Sequence, residues 1–151
     1  MSRRSRSDQA GPTRLLVVDD DPAGRELIAR ILESAGWQAD RCPSEAEALV
    51  QLDTAEPPYK AVVIDFTSGT TSSVQLLGAI RNRDSSADIP VALLTTSTDG
   101  QVFAWQSGVD GFLVRPFHAD DLINEVYAML SRTAAERVQH RNDELQALGG
   151  R

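Results

Sequence analysis

The chain is short of two residue types that would widen its chemistry. It has a single cysteine, Cys42, so neither an internal disulfide nor a cysteine cage for a metal can form, and this thiol reads as a small buried side chain. Lysine occurs once, at Lys60, while arginine recurs along the chain. No run reaches the roughly 18 apolar residues that a bilayer-spanning helix requires. The opening MSRRSRSDQAGPT is basic but lacks the apolar core of a secretory signal, and reads as a disordered arm over 1–13. Positive charge is in deficit, 15 Lys and Arg against 22 Asp and Glu, for a net −7. A surface of that sign has no general attraction for nucleic acid or anionic membrane. The expectation is a cytoplasmic protein that binds neither.

What is present suits one globular domain. The 151 residues are 41% hydrophobic and 25% charged, enough for a core of useful size. No internal repeat occurs, and the expectation is that no second domain forms in the residues after 131. Five strand-like runs, RLLVV (Arg14–Val18), QADRC (Gln38–Cys42), AVVI (Ala61–Ile64), VALLT (Val91–Thr95) and GFLV (Gly111–Val114), alternate with five helix-like stretches. Runs one, three and four are continuously apolar, as strands buried on both faces of a parallel sheet are; the second is polar at alternate residues and reads as an edge. The first helix places Leu27, Ile28, Ile31 and Leu32 on one face and stops at Gly36; the second is capped by Ser44 with Glu47 three residues on; the third carries Val74, Leu77 and Ile80. A short fourth helix covers DGQVFAWQSG, and the fifth begins near His118 and turns Leu122, Ile123, Val126 and Leu130 inward. This alternation predicts an α/β fold with a parallel sheet.

In such a sheet ligands bind beyond the carboxyl ends of the strands. Those ends offer Asp19 and Asp20, then Asp65, Thr95 and Arg115 followed by Pro116. Three carboxylates so close repel one another, by about 4 kcal/mol per pair at 4 Å and an effective dielectric of 20. A hard divalent cation such as Mg²⁺ relieves that repulsion, while a hydroxyl and a guanidinium opposite it suit phosphoryl oxygens. Asp21 falls at the start of the first helix, where a carboxylate favours the helix dipole.

With LLVVDDDP, VVID, PVALLTT and GVDGFLVRPF in this order and spacing, the sequence resembles the receiver domain of two-component response regulators from Arg14 to about Ser131. The resemblance implies a flavodoxin-like fold with a five-stranded parallel sheet in the order 2-1-3-4-5 and helices on both faces. It implies Asp65 as acceptor of a phosphoryl group from a sensor histidine kinase or phosphotransfer protein. It further implies Mg²⁺ held by Asp19, Asp20, Asp65 and the backbone carbonyl of Thr67, with Thr95 and Arg115 contacting the phosphoryl group and Phe112 as the aromatic that changes rotamer. Output then passes to a downstream protein through the face of the fourth helix, fifth strand and fifth helix, and the protein is a signalling switch rather than an enzyme.

Two departures from the family stand out. Arg115 occupies the usual lysine position, and its planar fork is not equivalent to an ammonium. The usual Met-Pro after the acceptor is replaced by Ser68 and Gly69 in DFTSGTTSS, where Ser72 or Ser73 is expected to cap the next helix. A degenerate receiver that binds partners without phosphorylation is therefore an alternative. A phosphatase of the haloacid dehalogenase type also fits Asp19-x-Asp21, but the only lysine precedes the third strand instead of following the fourth. Trp105 reads as packing over its own helix or as a partner anchor; His118 and His140 read as solvated. In the tail, residues 132–151, Ala134, Val138, Leu145 and Leu148 follow 3-and-4 spacing interrupted by Arg141. The last helix then either runs on past the 14–131 domain, supporting a homodimer, or ends in a frayed tail.

Overall fold

The protein, seen in a computed structural model, is described over residues 13–66 and 69–149. The elements run β1 (Arg14–Asp19), α1 (Pro22–Ser34), β2 (Gln38–Cys42), α2 (Glu45–Thr54), β3 (Ala61–Asp65), α3 (Thr70–Arg81), β4 (Val91–Thr95), α4 (Gln101–Gln106), β5 (Gly111–Val114), α5 (Ala119–Ser131) and α6 (Ala134–Ala147). The strands form one sheet in the order β2-β1-β3-β4-β5, every neighbouring pair parallel. Helices cover both faces.

Side chains alternate across the sheet, as the strand period of two requires. Leu15 and Val17 join Val63, Leu94 and the buried stripes of α1 and α5 on one face. Leu16 and Val18 join Ile64, Leu93 and the buried sides of α2, α3 and α4 on the other. Central strands thus read as unbroken apolar runs because each residue finds a core on its own side. The β2 edge is only partly buried.

Several local expectations are corrected. Leu27 is 59% exposed, and Ala29 takes its place beside Ile28 and Leu32 in the core. Neither Ser72 nor Ser73 caps α3: Gly69 is the N-cap at φ +100°, a conformation that disfavours other residues, and Ser73 is buried. The fifth helix does not run on. Arg132 is extended, Thr133 accepts a hydrogen bond from Glu136 N, and the Glu136 carboxylate accepts one from Thr133 N, so that α6 starts afresh. Ala134 and Val138 are exposed, whereas Arg141, which interrupts the apolar spacing, turns toward the domain.

Arg141 meets Asp110, whose side chain is fully buried just before β5. Asp110 Oδ2 accepts from Val91 N and Arg81 Nη2, both at 2.9 Å; Oδ1 accepts from Arg141 Nη2 at 2.9 Å, and Arg137 Nε lies 3.3 Å away. Three arginines from two helices thus converge on one carboxylate.

Candidate functional site

β1 and β3 are in register so that Asp19 stands beside Asp65, which is why two sequence-distant acids share the carboxyl edge of the sheet. Both are buried. They line a cavity of about 330 Å³ together with Asp21, Gly24, Phe66, Gly69, Thr95, Thr96 and Arg115. Asp19 Oδ1 accepts from Asp21 N at 2.9 Å. Asp21, the α1 N-cap, accepts from Gly24 N at 2.8 Å. A Cβ at position 24 would stand 2.9 Å from Asp19 Oδ2, so glycine is what lets the helix start so near this carboxylate.

Burial pushes the Asp19 carboxyl up to about 7, against the bond from Asp21 N and with help from the neighbouring charges of Asp65 and Asp20. The sign follows by linkage. A carboxyl raised in the fold contributes its stability at low pH and loses it as pH rises from about 4 through about 7. Glu26 is held at about 2 by Arg41 and Arg30, so its contribution disappears only at much lower pH. Metal-free protein is therefore expected to melt at a higher temperature at pH 5.5 than at pH 7.5. Asp19→Asn should flatten that slope, apart from the part due to Glu125, which burial also raises. Melting curves in chelator decide this; an unchanged slope would remove Asp19 as its source.

Arg115 does more than flank the cavity. Its Nη1 donates to Asp65 Oδ1 at 3.2 Å and its Nη2 donates to Asp65 Oδ2, so the guanidinium holds both carboxylate oxygens, and it also lies 5.3 Å from the centre of the Phe117 ring. Thr95 is buried; its Oγ1 accepts from Ser97 N at 3.3 Å and lies 3.3 Å from Thr70 Oγ1. Phe112 is buried in the core between sheet and α4. Asp20 is exposed and does not line the cavity. Thr67, whose carbonyl is the remaining expected metal ligand, lies outside the described residues.

Among the described residues no three acidic, histidine or cysteine side chains are drawn together as a ready metal cage. The donor set still fits Mg²⁺. Asp19 and Asp65 are buried all-oxygen donors whose charges oppose each other, beside space for the several waters that Mg²⁺ retains. What the arrangement can do chemically is present a carboxylate at a strand end with an acid on one side and a hydroxyl and a guanidinium on the other.

Some functional neighbours escaped sequence reasoning. Thr70 lay within the noted hydroxyl run, but its pairing with Thr95 depends on β4 lying next to β3 and so close to the start of α3. Trp105 is 3% exposed and packs edge-to-face on His140 at 5.4 Å, so His140 is not the solvated residue expected. His118 does sit at the surface, as the α5 N-cap.

The response regulator receiver domain family matches residues 15–127. Transcriptional regulatory protein PrrA of Mycobacterium leprae is 33% identical over 124 residues, which are 81% of this chain and 52% of that protein. Phosphate regulon transcriptional regulatory protein PhoB of Escherichia coli is 27% identical over 128 residues, 83% of this chain and 55% of that protein. The chain thus spans about half the length of the curated relatives it matches. Among solved structures, the receiver domain of Francisella response regulator 1452 superposes with a TM-score of 0.69 at 29% identity, covering 81% of this chain and 98% of that one. Response regulator TrrA of Thermotoga maritima, solved with Mg²⁺ and BeF, gives 0.68 at 28% identity, covering 78% and 98%. No helix among the described residues is long and apolar enough to cross a membrane.

Proposed function

The chain belongs to the response regulator receiver domain family, and from that premise we propose that Asp65 accepts a phosphoryl group from a histidine kinase or phosphotransfer protein in the presence of Mg²⁺. A buried acid at a strand end, with Asp19 beside it in register and Thr95 and Arg115 on the same cavity, is the observation that carries this reading. An Asp65 oxygen attacks phosphorus in line, the donor's P–N bond breaks, and the product is an acyl phosphate bearing about −1.5 to −2 charges. Arg115 turns from the carboxylate to the phosphoryl oxygens, which suit its fork equally well. The Thr95 hydroxyl, whose contacts among the described residues are two at 3.3 Å, moves to donate to the new group. Asp19, Asp65, Asp20 at the rim and the Thr67 carbonyl are the groups that would hold Mg²⁺, which when bound would screen the phosphoryl charge and align it.

We assign the chain signalling rather than turnover, a cytoplasmic setting, and an output through a downstream protein that docks on the surface of α4, β5 and α5. With acetyl phosphate and Mg²⁺ the protein should gain one phosphoryl mass, and chelation should abolish the gain. No gain in any Mg²⁺ concentration would favour a phosphorylation-independent binding module, for which the engagement of both Asp65 oxygens by Arg115 is the supporting observation.

Arg115→Lys separates holding from relaying. An ammonium is a compact point charge without the planar fork that makes two parallel hydrogen bonds to the Asp65 oxygens, so the hold loosens while labelling should persist. The change in Trp105 fluorescence on adding beryllofluoride and Mg²⁺ should grow at least about twofold, because Thr95 and its loop meet less resistance from the paired carboxylate. Trp37, packed on Tyr127 at the far side, supplies a constant background. Equal responses in both proteins would show that the arginine does not restrain the relay.

A further inference from the structure

α6 is attached unlike the other helices. Every other helix buries at least one residue, and α6 buries none. Toward the domain it presents Arg137, His140, Arg141 and Leu145, with Leu145 the one apolar residue packed against the core. Its hold is ionic and polar. Arg141 reaches Asp110 and donates through Nε to Val109 O at 3.1 Å, and Arg137 donates through Nη2 to Asp88 O at 2.6 Å. Two extended residues, Arg132 and Thr133, join it to α5. Beneath it the fit is incomplete: among the described residues the buried indole Nε1 of Trp105 has no hydrogen-bond partner, the buried Nε of Arg137 has only its 3.3 Å ionic contact with Asp110, and His140 offers Trp105 a ring contact. A helix kept for stability alone gains from an apolar face; this one is held by contacts that another helix can reproduce.

We infer that the surface around Asp110, Trp105 and Val109 is a receptor for an arginine-bearing helix of a partner protein, and that α6 occupies it in cis as the competitor. The recognition chemistry is set by the surface. A buried carboxylate and the carbonyls of Val109 and Asp88 call for two arginines four residues apart, as Arg137 and Arg141 are. A side-chain acceptor such as glutamine, one residue before the second arginine, would satisfy the Trp105 indole where His140 does not. A large apolar residue four beyond the second arginine fills the place of Leu145. The inference takes from the proposed function only that partners are received on this face; it does not depend on phosphoryl transfer.

The test uses a fluorescein-labelled peptide of residues 132–149 and its His140→Gln and Arg141→Ala forms, read by fluorescence anisotropy against the full chain. Arg137→Ala with Arg141→Ala, which frees α6 while leaving Arg81 on Asp110, should bind the peptide at least about tenfold more tightly than the natural chain. The glutamine peptide should bind more tightly still, and the Arg141→Ala peptide at least about tenfold more weakly. With no substitution at all, saturating glutamine peptide added to the natural chain should speed amide exchange across residues 137–147. Equal binding by natural and doubly substituted chains, indifference to Arg141 in the peptide, or unchanged exchange would each overturn the inference. A concentration-dependent dimer of the natural chain, with exchange protection kept in α6, would overturn it in favour of a second copy's α6. Phosphoryl mass on Asp65 is read separately in the same samples, so either reading can fail alone.

Discussion

Asp65→Asn is expected to take up no phosphoryl group from acetyl phosphate at any Mg²⁺ concentration that labels the natural protein. The amide keeps the shape and can still accept a hydrogen bond from Arg115, but it has neither the charge nor the nucleophilic oxygen that attack on phosphorus requires. The loss would not be one of folding. Asp65 is one of the neighbouring charges that raise the Asp19 carboxyl, so its neutralisation relieves a buried repulsion while giving up the charge of the Arg115 pair. With the two effects opposed, the metal-free variant should keep a cooperative melting transition near pH 7.5. Intact-mass measurement of label and a melting curve on the same sample separate chemistry from stability. Full labelling of the variant would place the acceptor elsewhere and sink the assignment of Asp65.

The second large effect lies at the other end of β5. Asp110→Ala should destabilise the protein by about 3–5 kcal/mol, the usual cost of removing one partner from a buried ionic cluster. Arg81, 17% exposed, and Arg137, 11% exposed, would face each other and Arg141 with no carboxylate between them, and Val91 N would lose its acceptor at the start of β4. That is a large share of the 5–15 kcal/mol typical of a whole domain. Asp110→Asn keeps an acceptor for Val91 N or for an arginine and should cost less. Urea unfolding of the two variants distinguishes lost charge from lost hydrogen bonding, and a cost below about 1 kcal/mol for alanine would mean that the arginines find other partners.

Leu15–Val18, Ala61–Ile64 and Val91–Thr95 could be read as interior parallel strands because a strand buried on both faces cannot afford a polar alternate residue. Their termini therefore pointed to Asp19, Asp65 and Thr95 as neighbours, and β1–β3 register does set the two acids side by side. The same local logic placed the Asp21 cap and the turn at Gly36, whose φ of +98° favours glycine. It failed at Leu27, where the period of a helix allows two adjacent faces and only the neighbouring sheet chooses between them. It failed also at the start of α3, where Gly69 at φ +100° turns the chain into the helix before Ser72 and Ser73.

By itself the sequence determined the order of elements, their apolar faces and the acids at the strand ends, because those follow from side-chain periodicity and from what can be buried within a few residues. Which oxygen Arg115 would hold was decided only in three dimensions, since β5 and β3 are brought across the sheet by β4 and the carboxylate has no nearer cation to pair with in the described structure. The fate of α6 was decided there too. Arg81, Asp110, Arg137 and Arg141 lie in separate segments, and along the chain Arg141 is merely a flaw in an apolar seam; against a carboxylate that folding has removed from water, it becomes the residue that fastens the helix.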